Sequence, residues 1–190
     1  MNLHAPSQAV TDSNVALTYL KEGNKRFVDG NLMPRDTYKA DMAVVKTGQK
    51  PFAAVLSCAD SRTPPELFFD QKLGDIFVVR NAGNHPGEET IGSFEFAVEH
   101  LKVPLVVVVG HDECGAVINA FNGASGLSNK LQGLLDTIGK DIKASGSVEK
   151  ATLDNVKVSM EKFKNNPIIS KATIVGAIYS IGTGEVKFIS

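Results

Sequence analysis

The feature that most constrains the fold is a run of five consecutive leucine and valine residues at positions 105–109. An unbroken aliphatic run of this length is typical of a strand in a parallel sheet that is buried on both faces. Two other short apolar runs, at residues 52–57 and 76–80, are bounded by proline, glycine or polar residues and have the same character. The chain therefore predicts a sheet whose central strands are covered on both sides.

Segments with helical periodicity alternate with these strands. A short helix is expected after Pro64 and Pro65, and residues 88–102 carry apolar side chains at spacings of three and four. Three further helices and two strands are predicted, in that order, at residues 116–121, 131–138, 153–163, 173–179 and 186–189. Alternation of strands with helices implies right-handed crossovers and a mostly parallel sheet.

We therefore predict an α/β fold with strand order 2-1-3-4, flanking helices, and residues 186–189 as an antiparallel C-terminal edge strand. Two helices precede the first strand. One begins after Asp12 or Ser13, and the other ends before Gly48. As the first elements of the chain, they are predicted to form an N-terminal helical arm that packs on another subunit.

A chain of 190 residues is long enough to bury one substantial core. We expect a single domain over residues 1–190, with the arm in residues 1–48 and the α/β core in residues 49–190. The formal net charge of -1 gives no general attraction to nucleic acid or to an anionic membrane, so neither partner is expected. The N-terminal residues lack the features of a secretory signal, which predicts a cytoplasmic protein.

Each of the two cysteines of the chain lies close in sequence to a residue of a type that commonly binds metals. Cys58 follows the first apolar run and precedes Asp60, while Cys114 comes three residues after His111. Thiolate and imidazole are donors that suit zinc, and two Cys with one His leave a fourth position for water or a carboxylate. Two buried core cysteines or one disulfide would also fit the bare count, but His and Asp at ligand spacing favour a metal.

The predicted topology brings the two cysteine clusters together without reference to a metal. In a 2-1-3-4 sheet the first and third strands are neighbours, and the connections that follow them leave on opposite faces. Ligand sites of open parallel sheets lie at such a switch point, outside the carboxyl ends of the strands. Because Cys58 follows the first strand and His111 and Cys114 follow the third, spacing and topology together predict one shared metal site.

At these residues the chain closely resembles the β-class carbonic anhydrases. It carries their Cys-x-Asp-x-Arg turn at residues 58–62 and their His-x-x-Cys-Gly loop at residues 111–115. It also carries family-like stretches at residues 74–84 and 93–98, and the likeness extends from about residue 17 to residue 189. Two departures are Phe96, where many relatives have Tyr, and Ser180, where Asp is usual.

The resemblance implies a zinc ion bound by Cys58, His111 and Cys114, with Asp60 and Arg62 as a catalytic dyad. The implied reaction is the reversible hydration of carbon dioxide to bicarbonate and a proton, by attack of zinc-bound hydroxide that the dyad orients. If Arg62 releases Asp60, the carboxylate can become a fourth zinc ligand and close the site. We expect the open state at neutral pH, because bicarbonate-inhibited relatives use a tryptophan at an allosteric site and this chain has none.

Three further residues are implied to contact the substrate, which is carbon dioxide or bicarbonate. Gln49 matches a position that reaches the active site of the neighbouring subunit, Phe77 matches a pocket aromatic, and Gly115 ends the second motif. The implied assembly is a homodimer or a dimer of dimers, that is, a homotetramer.

Alternatives from other classes are open at this point. A nucleobase deaminase also uses zinc with His and Cys, and residues 111–113 match its His-x-Glu element, but the Pro-Cys-x-x-Cys partner is missing. In a non-enzymatic zinc protein, Asp60 would be a permanent fourth ligand, since structural zinc sites are closed. Hydrolysis of carbonyl sulfide or carbon disulfide within the same fold is also left open.

Overall fold

A computed structural model of the protein describes residues 10–34 and 38–189. Within them lies one five-stranded sheet in the order β2-β1-β3-β4-β5, in which the first four strands are parallel and the last is antiparallel. The strands are β1 (Ala53–Cys58), β2 (Ile76–Asn81), β3 (Leu105–His111), β4 (Thr173–Tyr179) and β5 (Val186–Ile189). The predicted α/β class, strand order and antiparallel edge are confirmed.

Helices cover both faces of the sheet and precede its first strand. They are α1 (Ser13–Val28), α2 (Tyr38–Val45), α3 (Pro65–Phe68), α4 (Glu88–Glu95), α5 (Gly115–Phe121), α6 (Asn129–Asp141) and α7 (Val148–Lys164). No helix in the described part of the chain combines the length and the apolar character that crossing a lipid bilayer requires.

The helix predicted over residues 88–102 ends earlier than expected as an α-helix. After α4 the chain continues as a π turn, Phe96–His100, which shifts the faces of the residues that follow. Ala97 and Val98 are buried as a result, whereas Phe96 is 46% exposed and stacks on His100. A regular helical spacing in the sequence does not reveal this shift.

The core lies on both faces of the two central strands. Every residue of β1 and β3 is buried. Because successive side chains of a strand point to opposite faces, alternate residues pack with α1 and α3 on one side and with α4 and α7 on the other. This two-sided burial is the physical reason for the unbroken apolar runs in the sequence.

Helix α1 is part of the core of its own chain. Leu20 is fully buried, and the side-chain amide of Asn24 donates to the carbonyls of Phe68 and Gly184 at 2.9 and 2.8 Å. The same side chain accepts a 2.8 Å hydrogen bond from the backbone amide of Val186. These three bonds tie α1 to α3 and to the turn before β5.

Helix α2 is more exposed than α1. Met42 and Val44 on this helix are 58% and 50% exposed. The arm in residues 1–48 and its packing on another subunit stay predictions, and residues 1–9 and 35–37 of that arm lie outside the described residues.

The switch point lies between β1 and β3. From β1 the chain crosses to β2 on one side, and from β3 it crosses to β4 on the other. Ser57 pairs with Val109, so the carboxyl ends of the two strands stand side by side, with Cys58 and His111 as their last residues. The sheet therefore brings together the residues predicted to share a site.

We expect the substitution Gly23→Ala in α1 to destabilise the fold by about 1–3 kcal/mol, the usual range for overpacking. A Cβ atom at Gly23 would lie 1.8 Å from the carbonyl oxygen of Phe69, so α1 would have to move away from α3. Gly133→Ala in α6 is the matched control, because a Cβ there meets nothing within 4 Å, and it should stabilise by about 0.5–1 kcal/mol. Urea unfolding of both variants measures the difference; equal midpoints would show that α1 does not pack as described.

Candidate metal centre

Three buried side chains offer ligand atoms that all lie within 4.8 Å of one another: Cys58, His111 and Cys114. Their exposed fractions are 4%, 1% and 1%. The two Sγ atoms are 3.9 Å apart, and both cysteines are free thiols. The structure thus brings together the three residues that the sequence and topology predicted to share a site.

Each ligand residue is held by a different element. Cys58 is the last residue of β1, His111 is the last residue of β3, and Cys114 immediately precedes α5. Between the last two, Glu113 adopts a left-handed conformation with φ of 52°, which lets the chain turn sharply from strand to helix. The geometry of the cluster therefore depends on the sheet and on one tight loop.

The tautomer of His111 follows from its surroundings. Nδ1 lies 2.7 Å from the backbone carbonyl oxygen of Asp112, and a carbonyl can only accept, so Nδ1 must carry the proton and donate it. Nε2 is buried and has no hydrogen-bond partner among the described residues. A buried nitrogen lone pair without a partner is costly, and a metal ion would satisfy it.

The two sulfur atoms also favour a bound cation. In the protein alone, the Cys114 thiol hydrogen bonds to Cys58 and holds the pKa of Cys58 below its usual range, while the same bond and burial raise the pKa of Cys114. Two thiolates this close would repel each other in an apolar surrounding formed by residues such as Val117 and Ile138. A zinc ion removes that repulsion and prefers sulfur and imidazole ligands, so the residues fit this metal.

Asp60 and Arg62 form a two-pronged ion pair beside the cluster. Nε and Nη2 of Arg62 donate to the two carboxylate oxygens of Asp60 at 2.9 and 2.7 Å. These side-chain bonds hold the pKa of Asp60 well below its usual range, so the carboxylate stays ionised. Asp60 is not one of the three clustered residues, and the pair has the arrangement expected when Arg62 keeps Asp60 away from a metal.

Arg80, near the end of β2, holds the turn that carries Cys58 and Asp60. Its Nε donates to the carbonyl of Cys58 at 2.9 Å, and its Nη2 donates to the carbonyl of Asp60 at 2.6 Å. No role for Arg80 was predicted from the sequence. Its place at the carboxyl end of the strand beside β1 was the available signal, because that edge of the sheet carries the site.

Gly83 was also missed, and it lies against the cysteine cluster. Its φ is 71°, and a Cβ there would lie 2.7 Å from Cδ1 of Ile138 and 3.2 Å from Cβ of Ala116. The backbone amide of Gly83 contributes to the lowered pKa of Cys58. Asn155 of α7 donates to the carbonyl of Gly83 at 2.9 Å and so anchors this turn.

The structure brings only one of the three predicted substrate residues close to the cluster within the same chain. Gly115 follows Cys114 directly and has open space where a Cβ would be. Phe77 pairs with Ala54, four residues before Cys58, which is a separation of about 13 Å along the strand. Gln49 is exposed and lies before the start of β1, and Cys58 is at the other end of that strand, which is about 17 Å long.

Known proteins resemble this chain over most of its length. A family model described as carbonic anhydrase matches residues 53–186. Carbonic anhydrase 2 of Mycobacterium tuberculosis is 50% identical over 107 residues, which cover 56% of this chain and 52% of that protein. The carbonic anhydrase of Synechococcus elongatus is 31% identical over 174 residues, which cover 75% of this chain and 61% of that protein. The chain spans about half the length of the first of these relatives.

Solved structures share the fold. A β-carbonic anhydrase from Coccomyxa, in complex with acetazolamide, aligns with a TM-score of 0.73 and 25% identity, over 90% of this chain and 85% of that one. One of two β-carbonic anhydrases from Sordaria macrospora, described as tetrameric, aligns with a TM-score of 0.69 and 24% identity, over 92% of this chain and 96% of that one.

We expect one zinc ion per chain, lost or strongly weakened in Cys58→Ser, His111→Ala and Cys114→Ser, because each variant removes one ligand atom of the cluster. His100→Ala is the control, since His100 is an exposed histidine outside the cluster. Elemental analysis after dialysis against a weak chelator measures the zinc content. Full occupancy in the three ligand variants would contradict the site assignment.

Proposed function

The chain belongs to the β-class carbonic anhydrase family, and on that premise we propose that it catalyses the reversible hydration of carbon dioxide to bicarbonate and a proton. The observation that carries the proposal is the buried cluster of Cys58, His111 and Cys114 with the Asp60–Arg62 pair at its side. A site that only had to hold a metal would not need an oriented carboxylate next to it.

In this proposal Cys58, His111 and Cys114 hold a zinc ion. When bound, zinc makes hydroxide available near neutral pH, because it lowers the pKa of water. Cys58 and Cys114 bring two negative charges to the site and moderate that acidity, which favours activity on the alkaline side of neutral pH. The apolar surroundings of both sulfurs limit competition from bulk water.

Asp60 has the role of orienting the nucleophile. Its ionised carboxylate can only accept hydrogen bonds, so it would accept a hydrogen bond from hydroxide, without taking the proton, and leave an oxygen lone pair directed at the carbon of carbon dioxide. Arg62 fixes the carboxylate plane through two charge-assisted bonds of 2.9 and 2.7 Å. In the hydration direction the pair works by positioning, because carbon dioxide carries no charge for Arg62 to bind.

The Asp60–Arg62 pair also argues against a closed structural zinc site. Both carboxylate oxygens of Asp60 are engaged by Arg62, so a permanent Asp60–zinc bond would have to replace a well-formed ion pair. The same metal centre would accept carbonyl sulfide or carbon disulfide, which are linear molecules like carbon dioxide, and an assay with each tests that extension.

We further propose that the protein acts as a homodimer or a dimer of dimers, with Gln49 of one subunit at the site of the other. The proposal is supported by the place of Gln49, which is exposed and lies at the wrong end of β1 to serve its own cluster. Met42 and Val44 add exposed apolar surface on α2, close to Gln49 in the chain. Phe77 and Gly115 are proposed substrate contacts, and the cytoplasmic location stays a prediction.

Loss of either member of the dyad should reduce hydration by about 10²–10⁴-fold while zinc stays bound, the usual effect of removing a positioned catalytic group. The variants are Asp60→Asn and Arg62→Ala, and stopped-flow carbon dioxide hydration with zinc analysis on the same sample measures both quantities. Lys150→Ala is the control, because it removes an ion pair with Asp154 far along the chain in α7 and should leave the rate within twofold. Near-normal turnover in either dyad variant would make the pair an ordinary loop salt bridge.

Mixed dimers distinguish a Gln49 that acts across the interface from one that acts within its chain. We expect a heterodimer of one Asp60→Asn chain and one Gln49→Ala chain to keep about half the wild-type rate, as a dimer with one intact site should. In that heterodimer one site combines both defects, and the other combines an intact Asp60 with the intact Gln49 of its neighbour. A heterodimer no more active than the Gln49→Ala homodimer would show that Gln49 serves its own chain.

A further inference from the structure

Asp112, which lies between two ligands of the proposed zinc site, is held at three points by the last residue of β4 and the two residues that follow it. Its backbone amide donates to the carbonyl of Tyr179 at 3.2 Å. One carboxylate oxygen accepts a hydrogen bond from the hydroxyl of Ser180 at 2.9 Å, and the other accepts from the backbone amide of Ile181 at 2.8 Å. The loop that carries the ligands is therefore fastened to the neighbouring strand through one residue.

The backbone carbonyl of Asp112 in turn accepts the 2.7 Å hydrogen bond from Nδ1 of His111. This bond selects the tautomer of His111 and sets the orientation of its ring. The contacts of Asp112 with Tyr179, Ser180 and Ile181 restrict its backbone on one side and its side chain on the other, and so help to hold this carbonyl in place. A continuous series of hydrogen bonds thus runs from Ser180 through Asp112 to His111.

We propose that Ser180 is a positioning residue of the metal centre, which acts through Asp112 to orient the His111 imidazole toward the metal. The proposal rests on the proposed zinc site and adds to it a residue outside both ligand motifs. Ser180 is not one of the three clustered ligand residues. Its effect passes through the Asp112 peptide.

The hydroxyl of Ser180 is not needed to form the turn in which it lies. That turn, between β4 and β5, is closed by backbone bonds: the amide of Ser180 donates to the carbonyl of Glu185 at 2.9 Å, and the amide of Gly184 donates to the carbonyl of Ser180 at 2.8 Å. An alanine at position 180 keeps both bonds. Loss of the hydroxyl should therefore affect Asp112 and His111 without opening the turn.

The expected loss of zinc affinity depends on how many of the side-chain contacts of Asp112 are removed. Removal of outer partners of metal ligands weakens metal binding by about 10–100-fold. Ser180→Ala should be at the lower end, about tenfold, because Ile181 still holds one oxygen of Asp112. Asp112→Ala removes both side-chain contacts and should be at the upper end, about 100-fold.

The test measures zinc dissociation constants of the full-length protein by competition with a chromophoric chelator. The variants are Ser180→Ala, Asp112→Ala and the double variant, which should bind zinc no more weakly than Asp112→Ala alone, because both changes interrupt one series of bonds. Ser180→Thr keeps a hydroxyl and should restore wild-type affinity. Ser145→Ala is the matched control, since it removes a 2.6 Å serine–aspartate bond to Asp154, outside the ligand loops, and should not change zinc affinity.

A second measurement separates positioning from a general loss of stability. In the zinc-loaded protein, the Nδ1 proton of His111 should exchange with solvent faster in Ser180→Ala than in wild type, as seen by nitrogen-15 NMR. Ser180→Ala and Ser145→Ala with equal zinc affinity and equal exchange rates would overturn the inference. A wild-type protein that binds no zinc, or a His111→Ala variant that binds it normally, would instead overturn the proposed metal site.

Discussion

The parallel pairing of β1 with β3 is the interaction on which the rest of the structure depends. Both strands are buried along their whole length, so every backbone amide and carbonyl must find a partner in the neighbouring strand. An unpaired buried group costs about 1–3 kcal/mol, and a slip of one residue would also turn each apolar side chain to the other face. The register that places Ser57 beside Val109 is therefore strongly specified, and with it the separation of Cys58 from His111.

Hydrogen bonds to backbone carbonyls position the proposed metal ligands. The carbonyl of Asp112 fixes the ring of His111, and Arg80 holds the carbonyl of Cys58. Both contacts come from the carboxyl edge of the sheet or the loops attached to it. Ligands held in this way need little rearrangement when a metal binds, which is the usual requirement of a precise metal site.

In the proposed site, metal binding and the orientation of the nucleophile take place in environments of different polarity. The cysteines proposed to hold the metal are buried among apolar side chains, where thiolates attract a cation strongly. The side chain of Arg62, by contrast, is 46% exposed, so its pair with Asp60 adds little to the stability of the fold. The structural value of that pair lies in its geometry, since it holds an ionised carboxylate in one orientation beside the metal ligands.

The sequence by itself predicted the α/β class, the strand order and a shared metal site, because the apolar run at residues 105–109 is typical of a strand buried on both faces and because each cysteine comes after such a run. Only the tertiary structure showed the contacts of Arg80, Gly83 and Ser180. Each acts through a hydrogen bond to or from a backbone group, or through the space that a missing side chain leaves. Such contacts have no periodicity and no preferred spacing in the chain, since the partner residues are brought together by the sheet and not by the sequence.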